Sequence, residues 1–255
     1  MKSGIRKGLA AIAAAAILVL PQASMAIAAT AAPVAGGPAG STVCWAQAAA
    51  ARSGGTVAAF RAFGDCEVDR RMTTLGQLTA AINASKALTA ADKAALAAEI
   101  GSTSSGLTAL KASIDAGVSV AVLRVRIVEI ATQFRVYDLL APQVYLTGAA
   151  DGVAAIAAQF GKISTVLAGR ISTGKSAGKD TTAAQAALDA MNAAIASAAA
   201  AVSPLPAKLL ALTPAEYNSG TAGPALRSAR AAIVSARDQL KSAVADARAV
   251  IADLR

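Results

Sequence analysis

The stretch Thr89–Ile114, TAADKAALAAEIGSTSSGLTALKASI, decides the fold. Leu96, Ile100, Leu107, Leu110 and Ile114 recur at steps of three and four, with Thr103 in the one polar slot. That spacing is the inner seam of a helix packed against another helix, since a strand would put the apolar side chains at every second position. The start is marked as well. Thr89 suits an N-cap, and Asp92 three residues on can reach back toward it as a capping box.

The same period runs outward in both directions. Val68, Met72, Leu75, Leu78 and Ile82 carry it before this segment. After it, Val120, Leu123, Ile127, Ile130, Phe134 and Tyr137 keep the step, and Val153, Ile156, Phe160, Ile163, Leu167 and Ile171 resume it beyond Pro142. Proline lacks an N–H and clashes with the preceding turn, so a kink or break is expected near Leu139 to Ala141. Val118 to Val128 also alternates as a strand would, but no breaker interrupts Val118 to Tyr137, and a strand of that length would be unusual. A further helix is expected from Thr182 to Pro204. A start signal of cap, proline and glutamate stands at Thr213-Pro214-Ala215-Glu216. The last helix follows Pro224, with Leu226, Ile233, Leu240 and Leu254 alternating with Ala229, Ala236 and Ala243 on its inner seam.

Alanine fills 72 of 255 positions, and it favours helix while burying little area per residue. Stability must therefore come from length and many small contacts. The expected fold is all-α: an elongated antiparallel bundle of four to five long helices with coiled-coil-like packing, forming one domain over residues 56–255.

The N-terminus reads as an export signal. Lys2, Arg6 and Lys7 precede an uncharged run from Gly8 to Leu20, and small-x-small sites follow at Ser24 to Ala28. Residues 1–28 are assigned to the signal, and 29–55 to a flexible leader with a short helix near Cys44 to Ala51. The run is shorter than the roughly 20 residues a bilayer-spanning helix needs. Val118 to Leu146 is apolar, but Arg124, Arg126, Glu129, Arg135 and Asp138 argue against its lying in lipid. The expected setting is periplasm, cell envelope or medium. Cys44 and Cys66 are the only cysteines and should pair in an oxidising compartment.

The layout from Cys66 to Arg255 is similar to a group of uncharacterised exported, alanine-rich helical proteins of bacteria. Three features carry the resemblance: FRVYDLLAPQVYL (Phe134–Leu146), LTPAEYN (Leu212–Asn218) and the arginine-punctuated last helix. It implies a secreted helical fold and no activity.

Without a histidine, Ser-His-Asp and Cys-His catalysis are excluded, and two thiols alone do not complete a zinc shell. No cofactor or metal is expected, and the protein is read as a non-enzyme. One motif argues otherwise: Gly169, Gly174, Lys175 and Ser176 match the P-loop pattern G-x-x-x-x-G-K-S. A P-loop needs a strand before it, whereas here the helical line Ile156, Phe160, Ile163, Leu167 leads into it. The expectation is a glycine-rich turn, Ser172 to Lys179, and nucleotide binding is disfavoured.

Charge suggests a surface instead. Without the signal's three cations, 21 basic residues face 15 acidic ones. Spread charge and 3% aromatics argue against nucleic acid. On the last helix Arg227, Lys241, Arg248 and Arg255 share one heptad position, and Arg230 and Arg237 share its neighbour. Six cations then form one strip suited to an anionic envelope polymer, a lipid headgroup or another envelope protein. The expected function is a structural or adaptor element. A periplasmic chaperone or carrier of apolar ligands is the alternative, with Phe134, Tyr137, Tyr145 and Phe160 either lining its pocket or filling plain core.

Overall fold

The computed structural model describes residues 44–255, and no strand occurs among them. The expected signal, residues 1–28, and most of the expected leader lie outside the described residues. In chain order the α-helices are α1 (Trp45–Gly54), α2 (Val57–Ala84), α3 (Ala90–Asp115), α4 (Val120–Thr132), α5 (Ala141–Ser176), α6 (Thr182–Val202), α7 (Leu205–Leu210), α8 (Pro214–Asn218) and α9 (Ala222–Asp253). A π-helical turn, Val136–Leu140, joins α4 to α5.

Local chemistry explains where these helices start. Thr56, Ser119 and Thr213 cap α2, α4 and α8 by accepting from the N–H three residues on, at 3.2, 3.3 and 3.3 Å. In α8 the box is complete, because Thr213 N–H donates to Glu216 Oε2 at 2.8 Å. α5 ends in a Schellman turn: Gly178 takes φ 78°, and Lys179 N–H reaches back to Gly174 O at 3.1 Å.

The helices enclose two hydrophobic cores. The first lies between α2, α3 and α4, where Val68, Leu78, Leu96, Leu107, Ile114 and Leu123 are fully buried. Every residue of the α3 seam, Thr103 included, is buried. The second core joins α5, α6 and α9. On α9, Leu226, Ile233 and Leu240 alternate with buried Ala229, Ala236 and Ala243, and α6 answers with Ala184, Ala194 and Ala198. Facing alanines let these two backbones approach closely, which spreads contact along the full length of both helices. The first turns of α5 serve both cores, with Ala141 and Val144 in one and Leu146, Ala150 and Val153 in the other. The arrangement is thus two packed helix groups sharing α5, where the periodicity led us to expect a single bundle of four or five helices.

The break before α5 also differs from expectation. α4 already stops at Thr132, and Arg135 adopts a left-handed φ of 41°. Pro142 then sits in the first turn of α5, where the missing N–H costs nothing. The π turn absorbs the mismatch through Leu140 N–H to Arg135 O at 3.2 Å and Ala141 N–H to Val136 O. The expected helix begins at Val120, with Val118 and Ser119 before it, and Val122, Val125 and Val128 form an exposed apolar face opposite buried Leu123 and Ile130, so apolar residues on both faces blur the helical period.

α1 packs on α2 and is tied to it by the Cys44–Cys66 disulfide, with the two Cα atoms 5.9 Å apart. Two helical stretches, Val120–Ser176 and Thr182–Leu210, each with an internal break, are long and apolar enough to cross a bilayer by length and composition alone.

Candidate functional site

The expected cationic strip runs along the outer face of α9. Its helix is oriented by the inner seam, which leaves Arg227, Arg230, Lys241, Arg248 and Arg255 exposed and Arg237 half-buried. Lys241 pairs with Asp238 at 2.7 Å, and among the described residues no other strip cation forms an ion pair. The flanking acids are partly engaged elsewhere: Asp253 Oδ2 accepts from Ala184 N–H at 2.9 Å, near the start of α6. No acid of α5 or α6 neutralises the strip among the described residues. Val234, half exposed, occupies the heptad position between Arg227 and Lys241 and interrupts the line of cations. From Arg227 to Arg255 the strip runs about 42 Å at 1.5 Å per residue.

The P-loop letters lie elsewhere and do not form a loop. Gly169, Gly174, Lys175 and Ser176 all belong to α5, so the expected turn from Ser172 starts only at Ala177. Helical N–H groups point along the axis to their own carbonyls. The hydroxyls are engaged too, Thr173 Oγ1 with Gly169 O and Ser176 Oγ with Ser172 O, each at 3.0 Å. Nothing there cradles a phosphate.

The stretches Phe134–Leu146 and Leu212–Asn218 dock on each other. Arg135 Nε and Nη2 donate to Asn218 Oδ1 at 2.9 and 2.6 Å, and Asn218 Nδ2 donates to Thr132 O at 2.8 Å. The Arg135 guanidinium lies 4.9 Å from the centre of the Tyr217 ring and 3.2 Å from Asp138. Gln143, buried, caps the end of α7 by donating to Leu209 O and Leu212 O at 2.8 and 2.9 Å. This knot ties α8 to the chain reversal before α5, and all of its visible chemistry is structural.

The aromatics do not share a pocket. Phe160 is buried in the second core, while Phe134 and Tyr145 pack on the first, where burial raises the Tyr145 phenol above its ordinary range. Tyr137 lies under the guanidinium groups of Arg70 and Arg71, 4.7 and 5.2 Å from its ring centre, and Glu67 pairs with both.

A second surface escaped the sequence reading. Thr89 Oγ1 caps α3 as expected, accepting from Asp92 N–H at 3.1 Å. The expected return bond from Asp92 is missing. Asp92 Oδ2 takes the Thr89 hydroxyl at 2.6 Å, and Thr89 N–H donates instead to Asp151 Oδ2 on α5 at 2.9 Å. Asp151 is only 7% exposed. Burial lifts its pKa to about 6; the Thr89 bond opposes this, and the Asp92 carboxylate adds to it. The two acids sit in a groove of about 560 Å³ where α3, α5, α6 and α7 meet. Only pairing of Asp151 with a segment 62 residues earlier reveals it.

Fold and surfaces together define a class: an all-α protein of small-residue helices packed in two cores. No family model, no curated protein and no solved structure matches this chain.

Proposed function

We propose that this chain is an exported, non-catalytic helical protein that docks through the outer face of α9 onto anionic envelope material, a phosphate- or carboxylate-bearing polymer or lipid headgroups. One observation carries the reading: among the described residues the strip cations other than Lys241 form no ion pair, and all of them but the half-buried Arg237 are exposed. Like charges at Arg237 and Lys241, one turn apart, cost a little in isolation and become favourable when an anion bridges them. The rigid seam beneath them fixes their spacing, so little order is lost on docking. The seven-residue spacing in α3 and α9 supports coiled-coil-like packing within each helix group.

Co-sedimentation of the mature chain with cell-wall fragments and with anionic vesicles, across a salt series, tests the reading. Retention should fall as salt rises. Reversing Arg230, Arg237 and Arg248 to glutamate should weaken binding about a hundredfold or more, given roughly 1 kcal/mol per basic residue at an anionic surface. Retention that ignores both salt and the reversals overturns it.

A further inference from the structure

The α4 helix is apolar on both sides. Leu123, Ile127 and Ile130 pack on the first core, while Val122, Val125 and Val128 stand 44–59% exposed on the opposite side, and Val118 just before the helix is 86% exposed. Four of the seven large apolar residues exposed among the described residues thus lie on or beside one 13-residue helix. A helix apolar all round belongs in an interior, and a clustered patch differs from valines scattered singly over a surface. Ala121, Val125, Val128 and Thr132 recur at steps of four and three, the seam of a helix that packs against another helix.

The surface is shaped for such a partner. A crease of about 300 Å³ lies between the row Arg124–Val128 and the row Val125–Glu129. Rows four residues apart are the ridges of helix packing, and the crease between them takes a ridge of the same kind. Charge then selects the partner and its direction. Arg126 and Glu129, paired at 2.9 Å, project on one flank of the seam. Arg124 projects on the other, its guanidinium turned onto the Phe60 ring at 5.2 Å. Two copies laid antiparallel bring like flanks together. With Val125 opposite Val128 of the other copy, Arg126 falls about 3 Å along the axis from Glu129 of that copy, at 1.5 Å per residue. Each carboxylate then lies between two guanidinium groups, and four charges of alternating sign close that flank. A parallel pair would instead set the Arg126 flank against the Arg124 flank. A bilayer fits poorly, because Glu129 lies only about 40° around the helix from Val125 and would enter the apolar layer with it.

We propose that the outer face of α4 pairs with the same face of a second copy, antiparallel, with the valines at the centre and the Arg126–Glu129 pairs joined along one edge. The same patch serves both chains, so the assembly is a closed two-fold dimer. A helix about 20 Å long covers less than the roughly 800 Å² a side of standard interfaces, and a Kd of about 1–100 µM is expected.

Sedimentation equilibrium of the mature chain across that concentration range tests this, the expected result being a monomer–dimer equilibrium. Val125→Asp should weaken it at least tenfold, and its exposed position should leave the helical circular dichroism unchanged. Arg126→Glu and Glu129→Arg should each weaken self-association. Mixing these two variants should restore dimers, because an all-acidic flank then meets an all-basic one. Reversing Arg230, Arg237 and Arg248 on α9 should change nothing. A monomer at every concentration, dimers indifferent to Val125→Asp, or a mixture no more associated than its components overturns the proposal. So does Val125-dependent binding of the monomer to phosphatidylcholine–phosphatidylglycerol vesicles, which would assign the face to lipid.

Discussion

Replacing Asp151 by asparagine should stabilise the protein at neutral pH and do nothing at acid pH. The folded chain holds the Asp151 proton to about pH 6, whereas the ordinary value is 3.8. A carboxyl whose pKa is raised by folding stabilises the native state when protonated. That contribution is complete below about pH 3.8 and is lost as pH rises through 6. At 1.36 kcal/mol per pKa unit the shift corresponds to about 3 kcal/mol. Water entering from the open side of the groove screens the charge, which brings the expected cost of ionisation nearer 1.5 kcal/mol. Asparagine keeps an oxygen for Thr89 N–H and never ionises. The variant should therefore exceed the wild type by about 1.5 kcal/mol at pH 7.5, or roughly 3–6 °C in Tm for a chain of this size. The gap should close by pH 4. Thermal and urea unfolding followed by circular dichroism at both pH values reads it, and other carboxylates cancel because the two proteins share them. A variant less stable at pH 7.5, or a gap equal at both pH values, would refute the assignment of a costly buried charge.

Three further outcomes follow from packing and backbone geometry. Cys44→Ser with Cys66→Ser should lower stability by on the order of 3 kcal/mol, since the bond closes a loop across 22 positions; urea midpoints with and without reductant measure it. Gly106→Ala should cost about 1–3 kcal/mol, because an added Cβ would stand 2.5 Å from Phe134 Cε1, and equal Tm values would contradict that contact. Mg-ATP should give no thermal shift with wild type or with Lys175→Ala, since Gly169–Ser176 is helix; a shift abolished by the substitution would restore the nucleotide reading.

The helices were legible where burial is periodic. Leu96 to Ile114 announces its seam because all six positions point into one core, and the α9 alternation of large residues with alanine is equally plain. Periodicity says that a face is covered but not by what, which is why a single bundle was expected where α5 divides its surface between two cores. The break was displaced for a related reason. Pro142 was visible, but a π turn and a left-handed Arg135 respond to packing around Val136, Leu139 and Leu140, which no local rule encodes. At the candidate sites, the cations of α9 were readable because heptad geometry places them. The Asp92–Asp151 pair and the Arg135–Asn218 knot were not, since each joins residues more than 50 positions apart.

The two candidate surfaces relate oppositely to stability, and this follows from how each is built. On α9 the buried seam, Leu226 through Val250, holds the helix in place, and Arg230 and Arg248 lie outside it. Charge there can be reversed with little effect on packing; Arg237, half-buried, is the one exception. A loss of binding in such variants therefore reports the surface itself. In the groove Asp151 is a structural group, because its Oδ2 accepts from Thr89 N–H and so ties the start of α3 to α5. Its charge strengthens that hydrogen bond, but burial and the neighbouring Asp92 carboxylate make the charge costly at neutral pH.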